Sequence, residues 1–209
     1  MKFNKNVFQK LVLITVLGLT PLYANSQNDS LLESFTQSYY YEKVGNYNSA
    51  ISSLKKVYQA DSYECNLRLG WLTYNAGLYQ ESISFYQKAI DLMPISIQAR
   101  LGYVYPAAAF GNMTSVITQY KKILEIDPQN TVANYKLGYI YYDKKDFQTA
   151  FKYFEKLVNL YPFDYDGLLM YAWTNLQLGK SREATVLFKK VLLLSPGDQS
   201  ATSGLALLK

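Results

Sequence analysis

The chain has 209 residues, of which 49% are hydrophobic and 18% are charged, and its formal net charge is +5. It contains no histidine and one cysteine, Cys65. The lack of histidine excludes Ser-His-Asp and Cys-His catalytic groups and histidine-bearing zinc sites, and a lone cysteine allows no disulfide within the chain. No glycine-rich phosphate-binding motif is present. These exclusions predict a non-enzymatic protein with no catalytic residue, no cofactor and no metal.

The first 24 residues have the pattern of a secretory signal peptide. Three lysines precede an uncharged apolar run, Leu11 to Leu19, which is followed by Pro21 and the small residue Ala24. The run is shorter than the roughly 20 apolar residues that a membrane-spanning helix needs. We therefore expect residues 1–24 to be removed on export, which gives a periplasmic or secreted protein that meets the membrane only if the signal stays uncleaved. Removal takes away the three lysines and no acidic residue, and lowers the formal charge from +5 to +2.

After a short polar lead-in, residues 25–30, the sequence repeats every 34 residues. Pro94, Pro128, Pro162 and Pro196 are spaced by this interval. Within each period the apolar residues fall twice at helical spacing, and the break between them holds a glycine in four of five repeats. The proline then ends the second helix. The pattern predicts an array over 31–209 with repeats at 31–62, 63–96, 97–130, 131–164 and 165–198, and a C-terminal capping helix at 199–209.

Small residues in one helix of a repeat are matched by bulky ones in the other. Gly70 and Gly138 in first helices are expected to face Tyr86 and Phe154 in second helices, which permits close helix contact. With Leu69, Leu137, Tyr141, Ala150 and Pro162, these residues resemble the tetratricopeptide repeat. The resemblance implies an all-α fold, a right-handed superhelix or α-solenoid of stacked antiparallel helix pairs whose first helices line a concave groove.

The resemblance also implies which residues point into that groove, namely the second, fifth, ninth, twelfth and thirteenth of each first helix. The ninth place is aromatic in every repeat. It is occupied by Tyr39, Trp71, Tyr105, Tyr139 and Trp173. Tyr135 at a fifth place, and Tyr74 and Tyr142 at twelfth places, extend this aromatic character. Aromatic rings offer flat apolar area, and we expect the Tyr hydroxyl and Trp N–H groups to be available to a ligand.

The leading functional hypothesis is an exported protein-interaction scaffold. It would bind a peptide or helical segment of a partner protein in the aromatic groove and assist assembly of a cell-envelope complex. The partner's identity and the oligomeric state of the chain stay open.

Three alternatives stand beside this hypothesis. The rings also suit a glycan or the cell wall, because sugar rings can stack on Tyr and Trp. The apolar Leu205 and Leu208 in the last helix suit a subunit of a self-associated assembly. A third interpretation is that the rings only pack against neighbouring helices. Nucleic acid is disfavoured, because the recurring lysines of the second helices are interleaved with acidic residues and the mature charge is small.

Overall fold

The structure, a computed structural model, describes residues 29–208. Every regular element in this range is an α-helix, and eleven helices fall within it. The first helix, α1, covers residues 29–43. The others are α2 (Tyr47–Lys55), α3 (Tyr63–Asn75), α4 (Tyr79–Leu92), α5 (Ile97–Ala109), α6 (Met113–Ile126), α7 (Thr131–Asp143), α8 (Phe147–Leu160), α9 (Tyr165–Gln177), α10 (Ser181–Leu194) and α11 (Gln199–Ala206).

The helices pack as consecutive pairs, α3 with α4, α5 with α6, α7 with α8 and α9 with α10. This confirms the predicted all-α fold of antiparallel helix pairs. Helix α1 already includes residues 29 and 30, which the sequence analysis assigns to the polar lead-in. The expected signal peptide, residues 1–24, lies outside the described residues.

A capping side chain stands immediately before each of α3, α5, α7 and α9. The side-chain oxygens of Ser62, Ser96, Asn130 and Asp164 accept the backbone N–H of the residue three positions on, at 2.7 to 3.1 Å. Such a cap satisfies a donor that the first turn of a helix cannot use, and contributes about 1 kcal/mol. Because the capping residues recur every 34 positions, the starts of the first helices recur with them.

The turn between the two helices of each repeat contains one residue in the left-handed conformation. Gly45, Gly77, Gly111 and Gly179 have φ values of 73° to 80°. In the fourth repeat Lys145 takes the same place with φ 62°. The backbone therefore makes the same reversal in all five repeats, although a side chain pays a steric cost for it in one of them.

Glycine in a first helix lets the partner helix approach closely. A Cβ atom at Gly138 would lie 2.7 Å from Phe154 Cε1, and one at Gly70 would lie 2.9 Å from the Tyr86 ring. Phe154 is fully buried in this contact. The predicted pairing of small with bulky residues is thereby confirmed in repeats 2 and 4.

The helices divide into two compact units, with the division between Pro94 and Ile95. In the N-terminal unit the side chains of α2 and α3 form one core, which includes Leu54 and Leu69. In the C-terminal unit a core around the fully buried Phe188 joins residues of α8, α9, α10 and α11. Within residues 29–208 no helix is both long and apolar enough to pass through a bilayer.

Candidate functional site

Three of the predicted aromatic residues lie in the N-terminal unit, on α1 and α3. Tyr39 is 57% exposed and Trp71 is 39% exposed, whereas Tyr74 is half-buried. The ring centroids of Trp71 and Tyr74 are 6.2 Å apart, and those of Tyr74 and Tyr79 are 5.9 Å apart. Trp71, Tyr74 and Tyr79 thus form a partly exposed aromatic surface along α3 and the start of α4.

A buried arginine supports this part of the N-terminal unit. The Arg68 side chain is 7% exposed, and its Nη1 lies 2.6 Å from Oε2 of Glu42 on α1. Arg68 Nε donates a hydrogen bond to Ser38 Oγ at 3.1 Å, and the guanidinium carbon lies 3.7 Å from the centroid of the Tyr39 ring. The ion pair compensates a charge that would be costly to bury alone. The pair connects α3 to α1, and the guanidinium group lies over the ring of Tyr39.

Both tryptophan N–H groups are already hydrogen-bonded within the chain. Trp71 Nε1 donates to Oε1 of Glu42, the same carboxylate that pairs with Arg68. In the C-terminal unit, Trp173 Nε1 donates to Ser200 Oγ at 2.9 Å. The expectation that these N–H groups are available to a ligand is therefore wrong. What these two tryptophans leave for further contacts is ring surface.

The C-terminal unit contains a pocket of about 680 Å³ between α7 and α9. Three of the predicted residues, Tyr139, Tyr142 and Trp173, line it. Its other lining residues are Asp143, Lys145, Phe147, Met170 and Gln177. The Tyr142 ring is edge-on to Phe147 with centroids 5.2 Å apart. The pocket combines aromatic walls with one carboxylate, one ammonium group and one amide.

Burial moves the pKa of two phenols near the pocket further above physiological pH. It raises the pKa of Tyr142, although a hydrogen bond with Gln177 acts in the opposite direction. Burial is also the main cause that raises the pKa of Tyr135, and the carboxylate of Asp166 adds to it. Both hydroxyls are therefore neutral at physiological pH and retain a proton that can be donated.

The two remaining predicted residues of the C-terminal unit do not line this pocket. Tyr135 stacks on Tyr139 with ring centroids 6.5 Å apart, and it lines a smaller pocket of about 220 Å³ with Asp164 and Asp166. Tyr105 is 54% exposed on α5. The structure thus brings Tyr135, Tyr139, Tyr142 and Trp173 into one neighbourhood through α7 and α9.

Sequence reasoning does not select Arg68 and Met170. Both occupy the sixth place of their first helix, three residues before Trp71 and Trp173. Residues three apart share a helix face, so the sixth place could have been added to the set of groove positions. Gln177 occupies a thirteenth place, which is one of the groove positions. It is not among the predicted residues, because the prediction selects only aromatic residues at those positions.

The part of the chain that the structure describes, 29–208, holds no group of three or more His, Cys, Asp or Glu side chains placed to bind a metal ion. Ring faces, neutral phenols and a few charged groups are the components of a recognition surface.

Two stretches of the chain match models of the tetratricopeptide repeat, residues 35–95 and residues 132–164. The TPR repeat-containing protein YpiA of Bacillus subtilis strain 168 is 27% identical over 122 residues. That match covers 58% of this chain and 29% of YpiA, so the chain spans about three tenths of the length of this relative.

Solved structures show the same fold. A tetratricopeptide repeat protein from Parabacteroides merdae ATCC 43184 superposes with a TM-score of 0.73 at 22% identity, covering 86% of this chain and 72% of that one. MamA from Desulfovibrio magneticus RS-1 gives a TM-score of 0.68 at 18% identity, covering 82% of this chain and 98% of that one. Likeness at these identities concerns the fold alone.

The helix pairs and the family matches together define the class. The tetratricopeptide repeat is matched at residues 35–95 and 132–164, and the helix pairs there have the fold of that repeat. Arrays of this kind are protein–protein interaction scaffolds and are in general not catalysts.

Proposed function

We propose that the mature chain is an exported, non-enzymatic scaffold that binds an extended or helical segment of a partner protein through the aromatic residues of its first helices. The signal-like pattern of residues 1–24 supports export. The tetratricopeptide repeats support a protein partner. Because export delivers the chain to the cell envelope, its role is to help assemble or position a complex there.

The observation that carries this proposal is the pocket between α7 and α9. Tyr139, Tyr142 and Trp173 come from two consecutive first helices and line one cavity. Tyr and Trp are enriched among the residues that dominate protein interfaces, where truncation of one such residue costs about 2 kcal/mol or more. Their rings present large area with few rotatable bonds, so binding immobilises little.

The test begins with affinity purification of the mature chain and mass spectrometry of the proteins that co-purify. The affinity of the purified partner is then measured for single variants. We expect Trp173→Ala to weaken binding by about 2 kcal/mol or more, which is about 30-fold. Phe163→Ala is the matched control, because Phe163 is an exposed aromatic residue of the same unit outside the pocket.

Unchanged affinity of the Trp173→Ala variant, with helicity retained in circular dichroism, would discard the pocket as the binding site. A loss of affinity in the Phe163→Ala variant as large as that for Trp173→Ala would place the partner on a different surface.

A glycan is the second candidate ligand, and one observation favours it. Since both indole N–H groups are bonded within the chain, the tryptophans offer ring surface, to which a sugar can stack. Asp143 and Gln177 at the pocket can hydrogen-bond hydroxyl groups. This candidate predicts retention on immobilised peptidoglycan and quenching of tryptophan fluorescence by soluble sugars. The absence of both effects excludes it.

A further inference from the structure

The Trp173 ring is held from two sides. Its Nε1 donates to Ser200 Oγ on α11 at 2.9 Å. Its ring packs nearly perpendicular to the buried Phe188 ring on α10, with centroids 5.1 Å apart and 79° between the two planes. The packing against Phe188 fixes the position of the indole. The hydrogen bond directs its N–H edge towards α11.

Helix α11 is itself held firmly in place. Its N-cap residue, Asp198, accepts the Ala201 N–H at 2.8 Å and the Tyr165 hydroxyl of α9 at 2.6 Å. Ala201 is fully buried in the core of the C-terminal unit. The backbone of Gly204 lies so close to Phe188 that a Cβ there would stand 2.2 Å from its ring. The position of Ser200 therefore follows from contacts at both ends of the helix.

We propose that Ser200 is a positioning residue of the pocket between α7 and α9. It acts through Trp173: it holds the indole N–H on the side of α11, so that the ring surface is what borders the pocket. Helix α11 thereby sets the shape of a binding site whose lining residues belong to α7, the α7–α8 turn, α8 and α9. The consequence for binding rests on the proposed function, whereas the effect on the ring does not.

The experiment uses the full chain with Trp71→Phe, which leaves Trp173 as its one tryptophan. Ser200→Ala removes the acceptor and keeps a residue that favours helix, so α11 is expected to stay folded. Ser203→Ala, at an exposed place on the same helix, is the control. Ser200→Thr retains a hydroxyl and serves as the rescue. The readouts are the NMR chemical shift and solvent exchange of the indole N–H, and quenching of Trp173 fluorescence by acrylamide.

In Ser200→Ala we expect the indole N–H to exchange about tenfold faster, the size of effect that losing one hydrogen bond produces, and acrylamide quenching to change with it. Ser203→Ala and Ser200→Thr should both behave like the parent. An unshifted indole resonance with unchanged exchange and quenching in Ser200→Ala overturns the inference. These readouts need no ligand, so their outcome is separate from partner binding by the Trp173→Ala variant, which tests the proposed function.

Discussion

Gly138 occupies a position where the neighbouring helix brings an aromatic ring against its backbone. Phe154 fills the space that a side chain at this position would need, and a Cβ would lie 2.7 Å from it. Both residues are buried, so neither can move aside into solvent. The identity of this one residue therefore sets how closely α7 and α8 pack.

We predict that Gly138→Leu destabilises the chain by about 1–3 kcal/mol or more, because it overpacks this contact. The shift in the urea midpoint of the circular dichroism signal measures the effect. Lys136→Leu is the control, since it places the same side chain at an exposed position of α7. A denaturation curve of Gly138→Leu that overlays the parent would contradict the observed packing.

Glu42 is the second residue whose contribution can be isolated. It neutralises the buried Arg68 and accepts the Trp71 N–H. We expect Glu42→Gln to cost about 1–3 kcal/mol, because the guanidinium charge loses its partner while Glu42 itself is only partly buried. Glu125→Gln removes the exposed pair with Lys122 and should change stability by less than about 0.5 kcal/mol. If urea denaturation gave the same loss of unfolding free energy for both substitutions, the buried pair would contribute no more to stability than the exposed one.

At the scale of the element, α11 shows how a short helix is held by its first turn. Hydrogen bonds from the Tyr165 hydroxyl and then from the Ala201 N–H lower the pKa of Asp198 below its ordinary value of 3.8. The charged carboxylate is thus the form that the folded helix favours. The stabilisation is present above pH 3.8 and is lost as the pH falls through the lower pKa of the folded state.

We therefore predict that α11 loosens in acid through Asp198. Hydrogen exchange at the Ala201 amide, followed by NMR as the pH is lowered below 3.8, should show protection falling in the parent. Asp198→Asn keeps an N-cap acceptor but carries no charge, so this step should be absent from its pH profile. The same acid step in both proteins would assign it to another group.

At the scale of the whole molecule, each compact unit has a core of its own. The core of the C-terminal unit includes Leu168, Phe188 and Val191, all from helices after the division at Pro94 and Ile95. Repeat arrays take their stability from contacts between neighbouring helices, so a run of complete repeats can fold without the rest.

We predict that residues 95–209, expressed alone, form a helical protein with a cooperative thermal transition. The segment begins just before Ser96, so α5, its first helix, retains its N-cap residue. Circular dichroism during heating measures the result, with the full chain as reference. A spectrum without helical character would show that the C-terminal unit depends on the residues before it.

Much of the fold was predictable because its determinants are local. Ser62, Asn130 and Asp164 mark helix starts through bonds to residues three positions away. Gly77 and Gly179 mark turns through their own φ angles. A periodic sequence displays such signals repeatedly, and the small residues at Gly70 and Gly138 follow the same period.

The aromatic residues of the candidate site could be selected by their places in the repeat, because the resemblance to the tetratricopeptide repeat implies which places face the groove. The sixth places, Arg68 and Met170, lie on the same helix face and could have been added, but the burial of Arg68 and the position of Lys145 at the pocket could not be predicted in that way. Arg68 is buried and pairs with Glu42 on α1, so its partner belongs to a different repeat. Lys145 reaches the pocket from a turn position that glycine fills in the other four repeats.

By itself, the amino-acid sequence determined the helix pairs and the aromatic character of the first helices, because each depends on residues within one turn or one repeat. Only the tertiary structure decided which groups of the two tryptophans are already hydrogen-bonded within the chain. Trp71 bonds to Glu42, 29 residues away, and Trp173 bonds to Ser200, 27 residues away. The physical reason is that a side-chain hydrogen bond depends on distance and angle in space, which a separation along the chain does not specify.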